Sequence, residues 1–208
     1  MPLNDSANND ALGGLSSTLY VGVNTQVPDS SGSGEVTGGT YTRVALSLAA
    51  ASGSTRASSA TLAHNIPAGT TAATYTLWTS LTGGAYKGWA PVAAPGALKG
   101  SGTVITADIS ADTVTSPAHG LAVDNRVIVV PQWAGSLPAG LSATTIYYVK
   151  AVTTDTFTLS TTSGGTVVDI TGKGSLFWFQ CSPEVFTNAG TLSVASGSLV
   201  FDATLAKG

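Results

Sequence analysis

The sequence predicts an all-β protein, and three observations carry the prediction. Apolar residues recur with a period of two, as in Leu19, Val21 and Val23 set against Tyr20, Gly22 and Asn24; that is the signature of half-buried strands. Clusters of Gly, Ser, Pro and Thr interrupt the pattern at short intervals, for example Ser52 to Thr55, Pro67-Ala68-Gly69 and Thr82-Gly83-Gly84. No strand alternates with a helical stretch, which excludes a doubly wound parallel sheet. About a dozen short strands between turns point to a sandwich or barrel.

The segments follow in order. Asn4 or Asp5 can cap a short helix with Leu3, Ala7, Ala11 and Leu12 on one face, stopped by Gly13-Gly14. A strand begins at Leu19. Pro28 to Gly39 is rich in Gly and Ser, has no period and reads as a long exposed loop. Tyr41 to Ala49 alternates again, with Val44, Leu46 and Leu48 on one face. Ser59 to Ile66 is a weaker strand. Thr71 to Trp78 is a strand of high β-propensity, turning through Thr82-Gly83-Gly84 into Ala85 to Trp89.

After a patternless stretch from Pro91 to Gly102, the character changes. Val104 to Ser116 carries two short segments, and Arg126 to Val130 is a continuous apolar run of the kind buried on both faces. Thr145 to Val152 and Thr156 to Ser160 are strands, as is Val167 to Ile170 after Ser163-Gly164-Gly165. Gly172-Lys173-Gly174 leads into Leu176 to Phe179. Leu192 to Ala195 and Leu199 to Leu205 read as a closing hairpin around Ser196-Gly197-Ser198.

Charge is scarce. Lys, Arg, Asp and Glu make up 9% of the 208 residues, against about 25% in ordinary soluble domains. Such a surface repels its neighbours poorly, which suits an assembly subunit better than a freely diffusing enzyme. The net charge is −3 and no basic run of four occurs, so direct nucleic-acid binding is not expected. The start of the chain lacks the basic and apolar regions of a signal peptide, and no apolar run is long enough for a membrane span. Cys181, the single cysteine, lies beside Phe177, Trp178 and Phe179 and reads as a buried small hydrophobe.

No catalytic, cofactor-binding or metal-ligating set is assigned. His64 and His119 have no partner at ligand spacing, and His119 sits in a turn where its ring is expected to bond backbone. The abundant serines form no Gly-x-Ser-x-Gly elbow. Asp108 and Asp112 are the closest carboxylates of the middle region, but strand or turn geometry does not make them face each other as an acid–base pair must. Tyr147 and Tyr148, being adjacent, point to opposite faces of a strand. Trp133 and Tyr148 are therefore the residues expected to make surface contacts, with Trp78, Trp89 and Trp178 assigned to cores.

The run Gly34-Glu35-Val36-Thr37-Gly38-Gly39-Thr40-Tyr41-Thr42-Arg43-Val44-Ala45 resembles a pattern of small bacteriophage virion proteins, the tail-fibre and minor-tail family. The resemblance continues through Ile66 to Thr71, Leu77-Trp78-Thr79, Thr82 to Trp89 and Val185 to Leu192. The residues between Trp89 and Val185 resemble a second element common in phage tail proteins. Its marks are His119-Gly120-Leu121, Asp124 to Val130, Leu137 to Leu141, Tyr147-Tyr148-Val149, Thr156 to Ser160 and Gly172-x-Gly174.

The resemblance implies a jelly-roll or Ig-like β-sandwich formed by residues 1–102 plus 180–208, with a short N-terminal helix. A small β-barrel-like domain, residues 103–179, would be inserted in it and project outward. The core of the insert would be Ile105, Val127, Val129, Val149, Phe157, Leu159, Val167 and Phe177. The implied function is a non-enzymatic virion structural protein, tail-associated as a minor tail or fibre-base subunit; the alternatives are a capsid decoration protein and a host-glycan-binding module. Implied partners are other virion proteins and further copies of the chain, a trimer being favoured, with a host surface glycan under the third reading. The implied location is the virion, assembled in the host cytoplasm.

Overall fold

A computed structural model describes residues 19–92, 105–131 and 136–202. The expected N-terminal helix and Trp133 lie outside the described residues. Those described contain sixteen strands and no helix, and the assigned sheet pairings are antiparallel. They divide into two compact units, one made of the residues up to Ala90 and from Val185 onward, the other of Pro91–Glu184.

In the first unit, β1 (Leu19–Asn24), β2 (Val44–Leu46), β6 (Thr74–Trp78) and β7 (Tyr86–Pro91) form a four-stranded sheet in the order β2-β1-β6-β7. Two-stranded ribbons supply the remaining pairing: β3 (Thr55–Ala57) with β16 (Val200–Asp202), β4 (Leu62–Ile66) with β15 (Gly190–Val194), and β5 (Thr70–Ala72) with β14 (Glu184–Phe186). Leu19, Val21 and Leu46 of the sheet pack on Leu62 and Val194 of the β4–β15 ribbon. Burying alternate apolar residues between two such layers is what makes a sandwich stable.

The expected closing hairpin does not form as such. β15 and β16 each pair with a strand of the N-terminal half, Leu192 opposite His64 and Phe201 opposite Arg56. The C-terminal segment is thus shared between two ribbons instead of folding on itself.

In the second unit, β8 (Ile105–Asp108), β9 (Thr113–Thr115), β10 (Arg126–Pro131), β11 (Ile146–Val152), β12 (Thr156–Ser160) and β13 (Ser175–Cys181) close a barrel in the order β10-β11-β12-β9-β8-β13. Val127, Val129, Val149, Phe157 and Leu159 fill it as the alternation predicts, together with Val114, Leu121, Tyr147, Leu176 and Trp178. Val127, Ile128 and Val129 are all fully buried, so β10 is covered on both faces.

Two expected core residues are misassigned. Leu176 and Trp178 point inward while Phe177 between them is half-buried. Val167 is 40% exposed and Val168 packs on the core instead. In both places the apolar run is unbroken, so alternation cannot choose the phase, and a slip of one residue reverses every side chain. Nor is Val167 to Ile170 a strand: it makes one bridge, Ser160 to Val167, with Val168 N–H donating to Leu159 O.

The boundary also moves from the sequence-drawn positions at 102/103 and 179/180. Gln180 and Cys181 complete β13, opposite Val127 and Arg126, and Ser182 N–H donates to Val92 O at 2.7 Å.

Candidate functional site

The motif from Gly34 to Ala45 builds a buried polar clamp. Arg43 is 8% exposed. Its Nε donates to Glu35 Oε1 at 2.8 Å and its Nη2 to Glu35 Oε2 at 2.7 Å, while Nη1 donates to the carbonyls of Ser80 and Gly83. The guanidinium carbon stands 3.7 Å from the Trp78 ring centroid, a cation–π contact. A bidentate pair with both Nη1 hydrogens also taken by carbonyls is the geometry in which a buried charge is tolerated.

Tyr41 extends the clamp. Its hydroxyl donates to Glu35 Oε1 at 3.1 Å and accepts from Val23 N–H at 2.8 Å. Burial, with the Glu35 charge adding to it, raises this phenol well above its ordinary range.

A second chain of hydrogen bonds anchors the Pro28 to Gly39 segment. Trp78 Nε1 donates to Thr76 Oγ1, which donates to Asn24 Oδ1; Asn24 Nδ2 donates to the carbonyls of Gly32 and Ser33. The expectation of an exposed loop is therefore corrected in part: Pro28, Gly32 and Val36 are buried, while Asp29 to Ser31 and Thr37 to Gly39 are exposed. Asp29 caps the loop's tip by accepting from Ser31 N–H and Oγ, which holds its carboxyl down at about 2.

A groove of about 730 Å3 opens on the other face of the same sheet. Val21, Leu77, Trp89, Leu199 and Phe201 line it, and Lys87 is the one charged side chain among the described lining residues. Sequence reasoning missed this feature by placing Trp89 in the core. Trp89 is only half-buried, and among the described residues β7 is the outermost strand of its sheet. Trp78 and Trp178 are buried as expected.

Tyr148 is half-buried on β11, with the Arg126 guanidinium 6.0 Å from its ring centroid. Its neighbour Tyr147 is buried, and the Tyr147 hydroxyl accepts from Ser142 N–H.

Several titratable residues of the barrel hold its turns and loops. His119 Nδ1 accepts from Leu121 N–H at 3.0 Å, which leaves the proton on Nε2 to be donated to Thr156 O at 3.2 Å. Asp108 accepts from Ser110 and Asp112 from Ile170 N–H, so the two carboxylates are occupied separately. Burial pushes the Cys181 thiol up to about 12. Among the described residues, no three of His, Cys, Asp and Glu cluster as metal ligands would, and no helix is long and apolar enough to cross a membrane.

Fold and site together define an all-β protein of a sandwich-like unit and a closed barrel, with an internal ionic clamp and one aromatic-walled groove. Comparison with models of known protein families, with curated proteins and with solved structures found no match for it.

Proposed function

We propose that the chain is a non-enzymatic structural subunit of a bacteriophage particle, associated with the tail as a minor tail or fibre-base component. The observation that carries this reading is the use made of the Gly34 to Ala45 motif. Its chemistry-bearing residues, Glu35, Tyr41 and Arg43, are spent on one another and on the sheet rather than turned toward a ligand. A motif whose polar groups hold architecture fits a protein whose task is to present a surface. The low charge supports the same reading, as does the resemblance of the chain's ordered blocks to phage virion proteins. Further copies of the chain, as a trimer, and other virion proteins are the partners this implies.

The test is electron microscopy of intact particles labelled with an antibody against this chain. Label on the tail supports the proposal. Label over the capsid replaces it with the decoration reading, and particles devoid of the protein end both.

The groove favours a second reading, a host-glycan-binding module. Aromatic walls beside an ammonium group offer stacking and one polar anchor, and the volume lies within the usual range for ligand sites. On a glycan array, binding that disappears in Trp89→Ala would establish this reading; an array without signal removes it.

A further inference from the structure

His64 stands on β4 with its side chain on the inward face, between Leu62 and Ile66. It is 0% exposed. Tyr41 and Tyr75 flank it, each with its ring centroid 6.5 Å from the imidazole. Neither ring nitrogen makes a hydrogen bond of good geometry. A buried polar group in that condition calls for an explanation.

The surroundings are poor in acceptors for an imidazolium. Of the elements packed on β4, β15 and β2 carry no titratable residue; β6 offers Tyr75, and the segment before β2 offers Tyr41 and Arg43, the latter already paired with Glu35. The carboxylate linked to Tyr41, Glu35, is already held through both oxygens by Arg43. A proton added to His64 therefore places a charge in an apolar site with no counter-ion, and the cheapest relief is for β4 to leave the core. Because β4 is bonded to β15 along five residue pairs, the two strands must leave together.

We propose that His64 makes the β4–β15 ribbon acid-labile, so that acidification loosens this layer of the sandwich while the barrel stays folded. Desolvation supports the idea by lowering the imidazole to about 4, and the Thr42 main chain offsets it only in part. A group whose protonation is disfavoured in the closed state makes opening easier as pH falls below its unfolded value of about 6.5.

The experiment is amide hydrogen exchange on the full chain between pH 7 and pH 4, corrected for intrinsic rates. Protection in residues 62–66 and 190–194 is expected to fall by up to about tenfold per pH unit below 6.5, the slope for one linked proton. Protection in the barrel strands 126–131 and 175–181 stays level, and His64→Leu removes the slope in the ribbon. Equal loss in ribbon and barrel overturns the proposal, as does a flat ribbon profile. If the variant fails to fold, imidazole NMR of the wild type decides the matter: His64 titrating near about 6.5 with unchanged ribbon amides is the contrary result.

Discussion

Arg43 and Trp78 are stacked, guanidinium on indole, with 3.7 Å between the Arg43 Cζ and the ring centroid. The contact joins the two hydrogen-bond systems of the first unit, since Arg43 is gripped by Glu35 and Trp78 starts the chain through Thr76 to Asn24. A planar, permanently charged fork suits this place, and a lysine ammonium reproduces neither the bidentate pair nor the stack.

Arg43→Ala is expected to destabilise the first unit by about 3 kcal/mol, because it leaves Glu35 without its counter-ion and the Ser80 and Gly83 carbonyls without their donor. Arg43→Lys should recover less than half of that. Urea denaturation followed by site-resolved NMR reads both units, and a lysine variant as stable as the wild type would refute the role given to the fork.

The phase of β13 makes a paired prediction. Leu176→Ala removes a fully buried side chain from the barrel core and should cost about 3 kcal/mol. Phe177→Ala removes a half-buried ring and should cost clearly less. Thermal unfolding of the two variants checks the register; the reverse order would mean the strand is turned over.

Gly140 tests a backbone constraint. Its φ is +100°, and an added Cβ would drive into the carbonyl of Asp169. Gly140→Ala is expected to destabilise the barrel by at least ~1–2 kcal/mol, through both strain and displacement of the 169–170 segment. Equal denaturation midpoints for the variant and the wild type would rule out the close approach.

Cys181 gives a pH dependence opposite in sign to that of His64. Its thiol is raised in the folded state, so its contribution to stability is complete below the ordinary value of 9.0 and is lost as pH rises toward about 12. Alkylation of the native protein at pH 8 should be slower by at least about tenfold than after unfolding. Reaction at the unfolded rate would show the thiol to be accessible.

Strand positions were legible where polar and apolar residues alternate cleanly, as in Thr156 to Leu159, where Phe157 and Leu159 are buried and the threonines are half-buried. They were not legible in phase where all neighbours are apolar, as in Leu176 to Phe179. The turn cluster Ser52 to Thr55 was recognised, but the strand leaving it, Thr55 to Ala57, was not: Thr-Arg-Ala has no apolar face and pairs because β16 lies beside it. The clamp was visible only as a string of residue types. That Glu35, Tyr41 and Arg43 meet depends on the loop folding back over β1, which no local pattern encodes. The groove depends on β7 lying outermost among the described strands of its sheet, a property of sheet order rather than of Tyr86 to Pro91 itself.

The bond from Ser182 N–H to Val92 O places the two ends of the barrel segment side by side. This has a consequence for the order of folding. Until the barrel closes, pairing β14, β15 and β16 with their partners ties off a disordered loop running from Pro91 to Glu184, at an entropic cost on the order of 4 kcal/mol by the logarithmic rule. Once it has closed, its ends are already within one hydrogen bond of each other and that cost has been met inside the barrel's own stability. The C-terminal strands then join the sandwich as though only a short turn preceded them, so the sandwich is expected to be completed last.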